Sequence, residues 1–162
     1  MNGPDMPRVL HVLDHSIPLH SGYSFRTRSI LEHQRALGWE TVHVTGPKQG
    51  AATETVEEAD GLRFYRTPAL DPRLARTPLL GHAALVRALG ARVLEVARAT
   101  RPALIHAHSP ALNALAALGA ARKLGLPVVY EVRAFWEDAA VDHGTTSEGS
   151  LRYRISRMLE TY

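Results

Sequence analysis

Short apolar runs rich in β-branched residues alternate with longer helical stretches along the chain, and this alternation predicts the fold class. The first run, residues 8–13, is apolar at nearly consecutive positions, as expected of a strand covered on both faces of a sheet. Similar runs predict further strands over residues 41–45, 61–66, 103–107 and 127–132. Repeated strand–helix units of this length predict an α/β fold with a Rossmann-like parallel sheet and helices on both faces.

Apolar periodicity and terminal glycines mark the helices. They are predicted over residues 23–37, 79–99, 111–124 and 147–162. In the first helix Ile30, Leu31 and Leu37 fall on roughly one stripe, and Gly38 is expected to end it as a C-terminal cap. The last stretch stops without a capping signal. We therefore expect a truncated helix at the end of a single domain that covers residues 1–162.

Two stretches between these elements are predicted as loops. Residues 54–60 are acidic and are expected to form an exposed loop. Residues 67–80 contain three prolines and are expected to cross over the sheet as an irregular loop. No internal repeat and no low-complexity tract interrupts this pattern.

Composition narrows the class of protein. The chain of 162 residues is 45% hydrophobic and 22% charged, which is typical of one globular domain. It has no cysteine, so disulfides, thiolate metal sites and a cysteine nucleophile are excluded. The net charge of +3 is too diffuse to indicate nucleic acid. Neither a signal peptide nor a membrane span is recognised in the sequence, and we expect a cytoplasmic protein.

Unusual polar residues concentrate where the predicted strands end. They lie in residues 14–24, 46–50, 106–113 and 131–138. In an open parallel α/β sheet, ligands bind at the carboxyl ends of the strands. The sequence therefore places a binding site at this edge.

The loop after the first strand carries one candidate anion site. It is formed by Ser21, Gly22, Tyr23 and Ser24 at the start of the first helix. Gly22 would let a backbone approach a ligand closely, and the free amides of a helix start attract an anion. The paired glycines of a dinucleotide-binding fingerprint are not present. The alternative is a loop glycine beside an ordinary helix cap.

Two histidines follow the fourth predicted strand. His106 and His108 are two residues apart, so both imidazoles project from the same side of the strand and could meet one ligand. Ser109 and Asn113 lie in the same segment and are candidate binding residues. A metal would need a third protein ligand, which nothing at metal-like spacing supplies, so we expect no metal. A purely structural role for each histidine stays open.

The segment after the fifth predicted strand has the densest set of candidates. Strand alternation places Glu131 and Arg133 on one side, where an arginine suits a phosphate or carboxylate and the glutamate would orient it. The alternative is an ion pair that only neutralises itself. Trp136 is a carbohydrate-stacking platform or a core residue. Arg133 and His108 are the candidates for a catalytic role.

Three stretches of the chain resemble a known family of enzymes. Residues 102–138, which include the string IHAHSP, are similar to the N-terminal domain of family-4 retaining glycosyltransferases of the GT-B fold. Residues 21–40 and 130–160 are closer still to bacterial glycosyltransferases associated with exosortase (PEP-CTERM) and exopolysaccharide gene clusters. The resemblance covers nearly the whole chain.

The resemblance implies a two-domain enzyme whose N-terminal half receives the acceptor. The partner domain, expected to be absent from this chain, would bind a UDP- or GDP-sugar, which is the donor substrate; no cofactor is implied. Residues 21–24 would approach the donor diphosphate, although many relatives have two glycines there. Arg133 occupies the position at which relatives often carry a histidine near the transferred sugar. The chain alone is expected to be inactive, and its acceptor would be a glycan or a lipid-linked glycan.

Two other functions remain open from the sequence. The chain could be a self-contained α/β nucleotide-binding or regulatory module, or part of a sugar-nucleotide epimerase of related fold. Arginines 152, 154 and 157 lie on the predicted last helix, where they indicate either a solvated face or a peripheral contact with the inner face of the membrane.

Overall fold

The computed structural model describes residues 6–50, 54–77 and 79–133. Its strands are β1 Arg8–Leu13, β2 Glu40–Thr45, β3 Val56–Ala59, β4 Leu62–Arg66, β5 Leu104–His108 and β6 Val128–Glu131. Its helices are α1 Gly22–Ala36, α2 Pro72–Ala75, α3 Leu80–Thr100 and α4 Ala111–Leu124, with a 3-10 turn at Pro47–Gln49. The five predicted strands and the first three predicted helices are confirmed to within about two residues at each end.

The strands form one sheet in the order β3-β4-β2-β1-β5-β6, and every neighbouring pair is parallel except β3 with β4. The predicted α/β fold is confirmed, and the sheet is mostly parallel. Consecutive parallel strands joined by helices place all the carboxyl ends at one edge, because each helix returns the chain to the opposite edge. The ends of β1, β5 and β6 therefore lie side by side.

The acidic residues 54–60 are mostly exposed, as predicted, but the prediction of a loop was wrong, because they include strand β3 at the edge of the sheet. The hairpin turns tightly at Asp60 and Gly61, both with positive φ. The acidic side chains are accommodated because arginines of β4 neutralise them: Arg63 pairs with Glu58, and Arg66 pairs with Glu57. Periodicity in apolar residues could not reveal a strand that is held by charge pairs.

The crossing loop over residues 67–80 is not wholly irregular. It contains the short helix α2, which begins at Pro72 after the Asp71 carboxylate accepts hydrogen bonds from the backbone N–H groups of Arg73 and Leu74. Proline at the first helical position is compatible with this start, because its missing N–H would have no helical partner there.

Helices α3 and α4 cover one face of the sheet. Gly90 of α3 packs against the backbone of Ala116 in α4, so small residues let the two helices approach closely. The core between them and the sheet contains aliphatic residues of the strands and alanines of the helices, among them Leu10, Val12, Val44, Leu89, Val93, Ile105, Ala117 and Ala121. Burial of this apolar surface is the main stabilising contribution on this side.

Helix α1 covers the opposite face through a largely polar surface. Its buried residues are Ser24, Thr27 and Leu31, whereas Leu37 is 76% exposed. The predicted stripe is therefore confirmed at Leu31 and wrong at Leu37. The helix also buries Ser24 and Thr27, because the sheet beneath it carries polar side chains. The predicted end of the helix is confirmed, since Gly38 has a φ of +86°.

In the part of the chain that is described, no helix combines the length and the apolar character needed to cross a bilayer. The predicted last helix over residues 147–162, with its three arginines, lies outside the described residues.

Candidate functional site

A row of histidines lies across the sheet beneath α1. The parallel register pairs His11 of β1 with His43 of β2 and with His106 of β5, so the three side chains stand on the same face. His43 is buried, and its ring nitrogens lie 2.9 Å from Thr41 Oγ1 and 2.8 Å from the Arg63 carbonyl. Burial lowers the pKa of His43 to about 4. This histidine is therefore neutral at physiological pH.

The next level towards the carboxyl edge pairs His108 of β5 with Glu131 of β6. The rings of His106 and His108 stack, with centroids 4.1 Å apart. Glu131 lies within reach of both: its Oε2 is 3.3 Å from His106 Nε2 and 3.0 Å from His108 Nδ1. The contact with His108 and the positive charge of Arg133 lower the pKa of Glu131 to about 2. The site therefore contains a carboxylate that stays ionised at any physiological pH.

Arg133 fastens α1 to this edge of the sheet. Its Nη1 donates to Thr27 Oγ1 at 2.7 Å and to the Tyr23 carbonyl at 3.2 Å, while its Nε donates to Glu131 at 3.2 Å. Its Nη2 contacts His108 Nδ1. The guanidinium also lies over the Tyr23 ring, 4.4 Å from the centroid, and the side chain is only 5% exposed. The arginine predicted to face a phosphate is thus enclosed by protein groups.

His108 begins a chain of buried polar contacts that leads to α1. Its Nδ1 lies beside both the Arg133 guanidinium and Glu131 Oε2, and its Nε2 lies 2.9 Å from His11 Nδ1. His11 Nε2–H then donates to Gln34 Oε1 at 2.8 Å. Burial lowers the pKa of His108 to about 4 and lowers that of His11 as well, so both rings remain neutral. The polar face of α1 is matched to the sheet through this chain and through Arg133.

The three neighbouring imidazoles of His11, His106 and His108 bring their nitrogens within 4.8 Å of one another, a spacing that a metal could in principle exploit. However, the rings of His106 and His108 are nearly parallel, at 23°, so their in-plane lone pairs do not converge on one point. The guanidinium of Arg133 also contacts His108. The geometry favours a hydrogen-bonded cluster over a metal site.

The N-terminus of α1 lies at the same edge. Ser21 caps the helix, because its Oγ accepts a hydrogen bond from the Ser24 N–H at 3.1 Å, and the ring of His15 lies 2.8 Å from the same oxygen. A Cβ added to Gly22 would have nothing within 4 Å, so the space in front of this first turn is open. The Cβ direction of Gly22 therefore faces open space, whereas the Ser24 N–H is engaged by the cap.

Two exposed cations flank this opening. Arg26, with a side chain 57% exposed, places its Nη2 2.9 Å from Glu131 Oε1. Lys48, in the 3-10 turn after β2, lies 3.1 Å from Asp14 Oδ1. The hydrogen bond between Asp14 and the His15 ring, together with the charge of Lys48, lowers the pKa of Asp14 against the effect of burial. Both cations keep donor hydrogens that face solvent. An anion entering the edge of the sheet would meet them first.

Most of the predicted site residues come together at this edge. Ser21, Gly22, Tyr23 and Ser24 form the first turn of α1, and His106, His108, Glu131 and Arg133 lie beside it. Ser109 and Asn113 are buried and brace the backbone: the Asn113 amide donates to the His108 carbonyl, and the Arg133 N–H donates to Ser109 Oγ. Trp136 lies outside the described residues.

Sequence reasoning missed four residues of the site: His11, Arg26, Thr27 and Lys48. His11 interrupts the apolar run of the first strand, and that interruption was the available signal. Thr27 and Arg26 are polar residues of the first helix, so nothing in the apolar periodicity pointed to them. Lys48 follows the second strand in a segment that the sequence had placed at the correct edge.

Comparison with known proteins identifies the family of this chain. A family model described as a glycosyl transferase 4-like domain matches residues 21–162. The GDP-mannose-dependent alpha-mannosyltransferase of Mycobacterium tuberculosis (strain CDC 1551 / Oshkosh) is 33% identical over 127 residues, which are 75% of this chain and 31% of that protein. The chain thus spans about a third of the length of this curated relative.

Solved structures share the fold. A Streptomyces sp. SF2575 glycosyltransferase aligns with a TM-score of 0.53 and 23% identity, over 76% of this chain and 38% of its own. Sucrose-phosphate synthase from Thermosynechococcus elongatus aligns with a TM-score of 0.65 and 16% identity, over 95% of this chain and 39% of its own. At these identities the similarity concerns the fold alone.

Proposed function

Because this chain belongs to the glycosyl transferase 4-like domain family, we propose that it is the acceptor-side part of an enzyme that transfers a sugar from a nucleotide-sugar donor. The acceptor is a glycan or a lipid-linked glycan, and no cofactor is needed beyond the donor. The cluster of charged groups around Glu131, at the carboxyl ends of β1, β5 and β6, is the observation that carries this proposal. Ligands bind at this edge in open α/β sheets.

The donor diphosphate would be met by the open first turn of α1. The amides around Gly22 carry the partial positive charge of a helix start, and Arg26 and Lys48 add two full charges at the same edge. Departure of a nucleoside diphosphate is favoured by such preorganised positive groups, because they stabilise the negative charge that develops on the leaving oxygens. We assign diphosphate contact to these three residues.

Arg133 and His108 act as positioning residues in this proposal. Both side chains are almost fully enclosed, and their hydrogen bonds hold α1 against the sheet. His106 and Glu131 retain side chains that are 15% and 18% exposed, so a sugar hydroxyl can reach them. An ionised carboxylate beside a neutral imidazole suits hydrogen bonding to hydroxyl groups.

The donor and its partner domain belong to the same proposal. The mannosyltransferase that resembles this chain is described as GDP-mannose-dependent, so GDP-mannose is the first donor to test, followed by UDP-sugars. We propose that a second domain binds most of the nucleotide. An exopolysaccharide role rests on the sequence resemblance of residues 21–40 and 130–160 alone.

Two matched glycine substitutions test the diphosphate assignment in the full-length protein. Gly22→Ala and Gly119→Ala both add a methyl group to a helix where nothing lies within 4 Å, so neither should lower stability. Transfer from radiolabelled GDP-mannose, or from the UDP-sugar that proves active, is measured for both. We expect the donor KM to rise about tenfold or more for Gly22→Ala, as for a lost close contact worth about 1.4 kcal/mol, and to stay unchanged for Gly119→Ala.

Calorimetric titration separates this proposal from a self-contained nucleotide-binding module. The isolated chain and the full-length protein are titrated with GDP, UDP and their sugars. We expect tight binding by the full-length protein only. Tight binding by residues 1–162 alone would place the donor site in this chain and refute the acceptor-side assignment. An unchanged donor KM in Gly22→Ala would refute the diphosphate contact assigned to the first turn of α1.

A further inference from the structure

A row of three polar side chains lies beside the first turn of α1. Asp14 follows β1, and its Oδ2 lies 3.1 Å from Nδ1 of the His15 ring. The other nitrogen of that ring, Nε2, lies 2.8 Å from Ser21 Oγ. The imidazole is therefore bonded through both nitrogens, to a carboxylate on one side and to a hydroxyl group on the other.

The neighbours of this row determine which of its members can change charge. Lys48 Nζ lies 3.1 Å from the other oxygen of Asp14, and the Tyr23 ring lies against the His15 ring with centroids 4.7 Å apart. Burial acts to raise the pKa of Asp14, but the hydrogen bond with His15 and the charge of Lys48 lower it, so the carboxylate is ionised. Burial raises the pKa of Tyr23, so the phenol is neutral. Imidazoles change charge between pH 5 and pH 8, so His15 is the member that can take up a proton.

The ionised carboxylate fixes the positions of the hydrogens in the row. A carboxylate only accepts, so His15 Nδ1 carries a hydrogen and donates it to Asp14. In the neutral ring Nε2 has a lone pair and accepts the hydroxyl hydrogen of Ser21. The Ser21 oxygen accepts the Ser24 N–H at the same time. While His15 is neutral, Ser21 therefore has no hydrogen left to donate to a ligand.

A proton on His15 Nε2 reverses the last of these bonds. An imidazolium has a hydrogen on both nitrogens, so Nε2 donates to Ser21 Oγ and the hydroxyl hydrogen is released. Ser24 Oγ, 3.1 Å away, is a neutral acceptor within reach of that hydrogen. An anion is a stronger acceptor, because hydrogen bonds to ionised groups are about twice as strong as neutral ones. The protonated row thus offers an anion a positive charge and a hydroxyl donor, and the neutral row offers neither.

We propose that the sugar donor binds together with a proton, which His15 takes up from solvent. The proton adds to Nε2, Ser21 donates its hydroxyl hydrogen to an oxygen of the donor diphosphate, and Asp14 stabilises the imidazolium. The His15 side chain is 22% exposed, so solvent reaches it. This coupling rests on the proposed function, in which the diphosphate lies at the first turn of α1 with Lys48 beside it.

Calorimetric titration of the full-length protein with GDP-mannose, or with the UDP-sugar that it binds, counts the proton. Each phosphate of a nucleotide sugar is a diester with a constant charge near neutral pH, so a proton taken up is bound by the protein. Titrations at pH 7 in phosphate and in Tris are compared, because the two buffers release protons with very different enthalpies. His15→Gln removes the titratable ring. His33→Gln is the matched control, since His33 is exposed near the other end of α1, and circular dichroism shows that both variants are folded.

We expect the binding enthalpy to differ between the two buffers in the direction of proton uptake. Donor affinity should fall as pH rises, because proton uptake favours the complex at low pH, with a limit of about tenfold per pH unit for a whole proton. His15→Gln should lose both effects. Its donor affinity should be about tenfold below that of the unchanged protein at pH 6 and similar to it at pH 8.5, as for one lost charge-assisted contact. His33→Gln should behave as the unchanged protein does.

Two results would overturn the proton coupling and leave the proposed function intact. Equal binding enthalpies in the two buffers would show that donor binding takes up no proton. Proton uptake that persists in His15→Gln would assign the proton to another group. Absence of binding of any nucleotide sugar to the full-length protein would instead refute the proposed function, and the coupling with it.

Discussion

Replacing Arg66 with methionine should destabilise the domain strongly. Arg66 is fully buried at the end of β4, and its guanidinium donates to Ser16 Oγ at 2.6 Å, to the Ile17 carbonyl at 2.8 Å and to Glu57 at 2.8 Å. Methionine fills a similar volume without donors. Ser16 Oγ, Glu57 and, at 3.3 Å, Thr45 Oγ1 then lose this donor, and the Ile17 carbonyl keeps only its hydrogen bond from Ser16 Oγ. Ser16 and Ile17 lie in the loop that leads to the first turn of α1.

The size of the effect follows from these contacts. Removing one partner from a buried charged pair costs about 3–5 kcal/mol, and each unsatisfied buried acceptor costs about 1–3 kcal/mol. Glu57 is partly exposed and regains water, so its share is small. We expect a loss of about 4 kcal/mol, which is a large part of the 5–15 kcal/mol that is typical of a whole domain. At that loss the folded population becomes sensitive to mild denaturant.

Urea unfolding followed by circular dichroism measures this loss. Arg63→Met is the matched control, because Arg63 lies on the same strand and also pairs with a glutamate of β3, but its side chain is exposed. The control should unfold at the urea concentration of the unchanged protein, since exposed ion pairs contribute little. If both variants unfold together, with equal slopes, the buried guanidinium does not hold the loop and the reasoning fails.

Two further predictions concern pH and packing. The pKa of His43 and that of His108 are lowered to about 4 from about 6.5, so unfolding takes up protons and stability falls as pH drops below 6.5; at pH 5 the loss is about 2 kcal/mol for each histidine. Urea midpoints at pH 8 and pH 5 measure it, and equal midpoints would contradict the buried neutral imidazoles. Gly81→Ala should cost about 1–3 kcal/mol because its methyl group meets backbone oxygens, whereas Gly119→Ala should not; equal urea midpoints for the two variants would show that α2 and α3 are not in close contact.

The sequence predicted the parts of this fold that depend on apolar burial. Strand β1 and helix α4 begin and end where the apolar pattern placed them. Strand β3 was missed because its acidic residues pair with arginines five and nine positions away, across the hairpin, and a local apolar pattern carries no information on such partners. The same limit applies to charge pairs wherever they replace apolar contacts.

The sequence likewise predicted the position of the candidate site but not which of its side chains are enclosed. The rule that ligands bind at the carboxyl ends of parallel strands placed Ser21, His106 and Glu131 at one edge correctly. It did not reveal that Arg133 is enclosed, because Thr27 and the Tyr23 carbonyl belong to a helix more than a hundred residues earlier. Tertiary packing determines which side chains reach solvent, and the local patterns of a single sequence do not predict contacts between segments so far apart.

The two faces of the sheet hold their helices by different kinds of contact, apolar on one face and hydrogen-bonded on the other. Contacts between α3 and α4 are apolar and have no preferred direction, and they depend on the close approach of Gly90 to Ala116. The hydrogen bonds beneath α1 are directional, and a displacement of the helix along its axis by a fraction of a turn would break the bonds of Arg133 to Tyr23 and Thr27. The first turn of α1 is therefore held in one position along the sheet, and with it the direction in which its N-terminus faces a ligand.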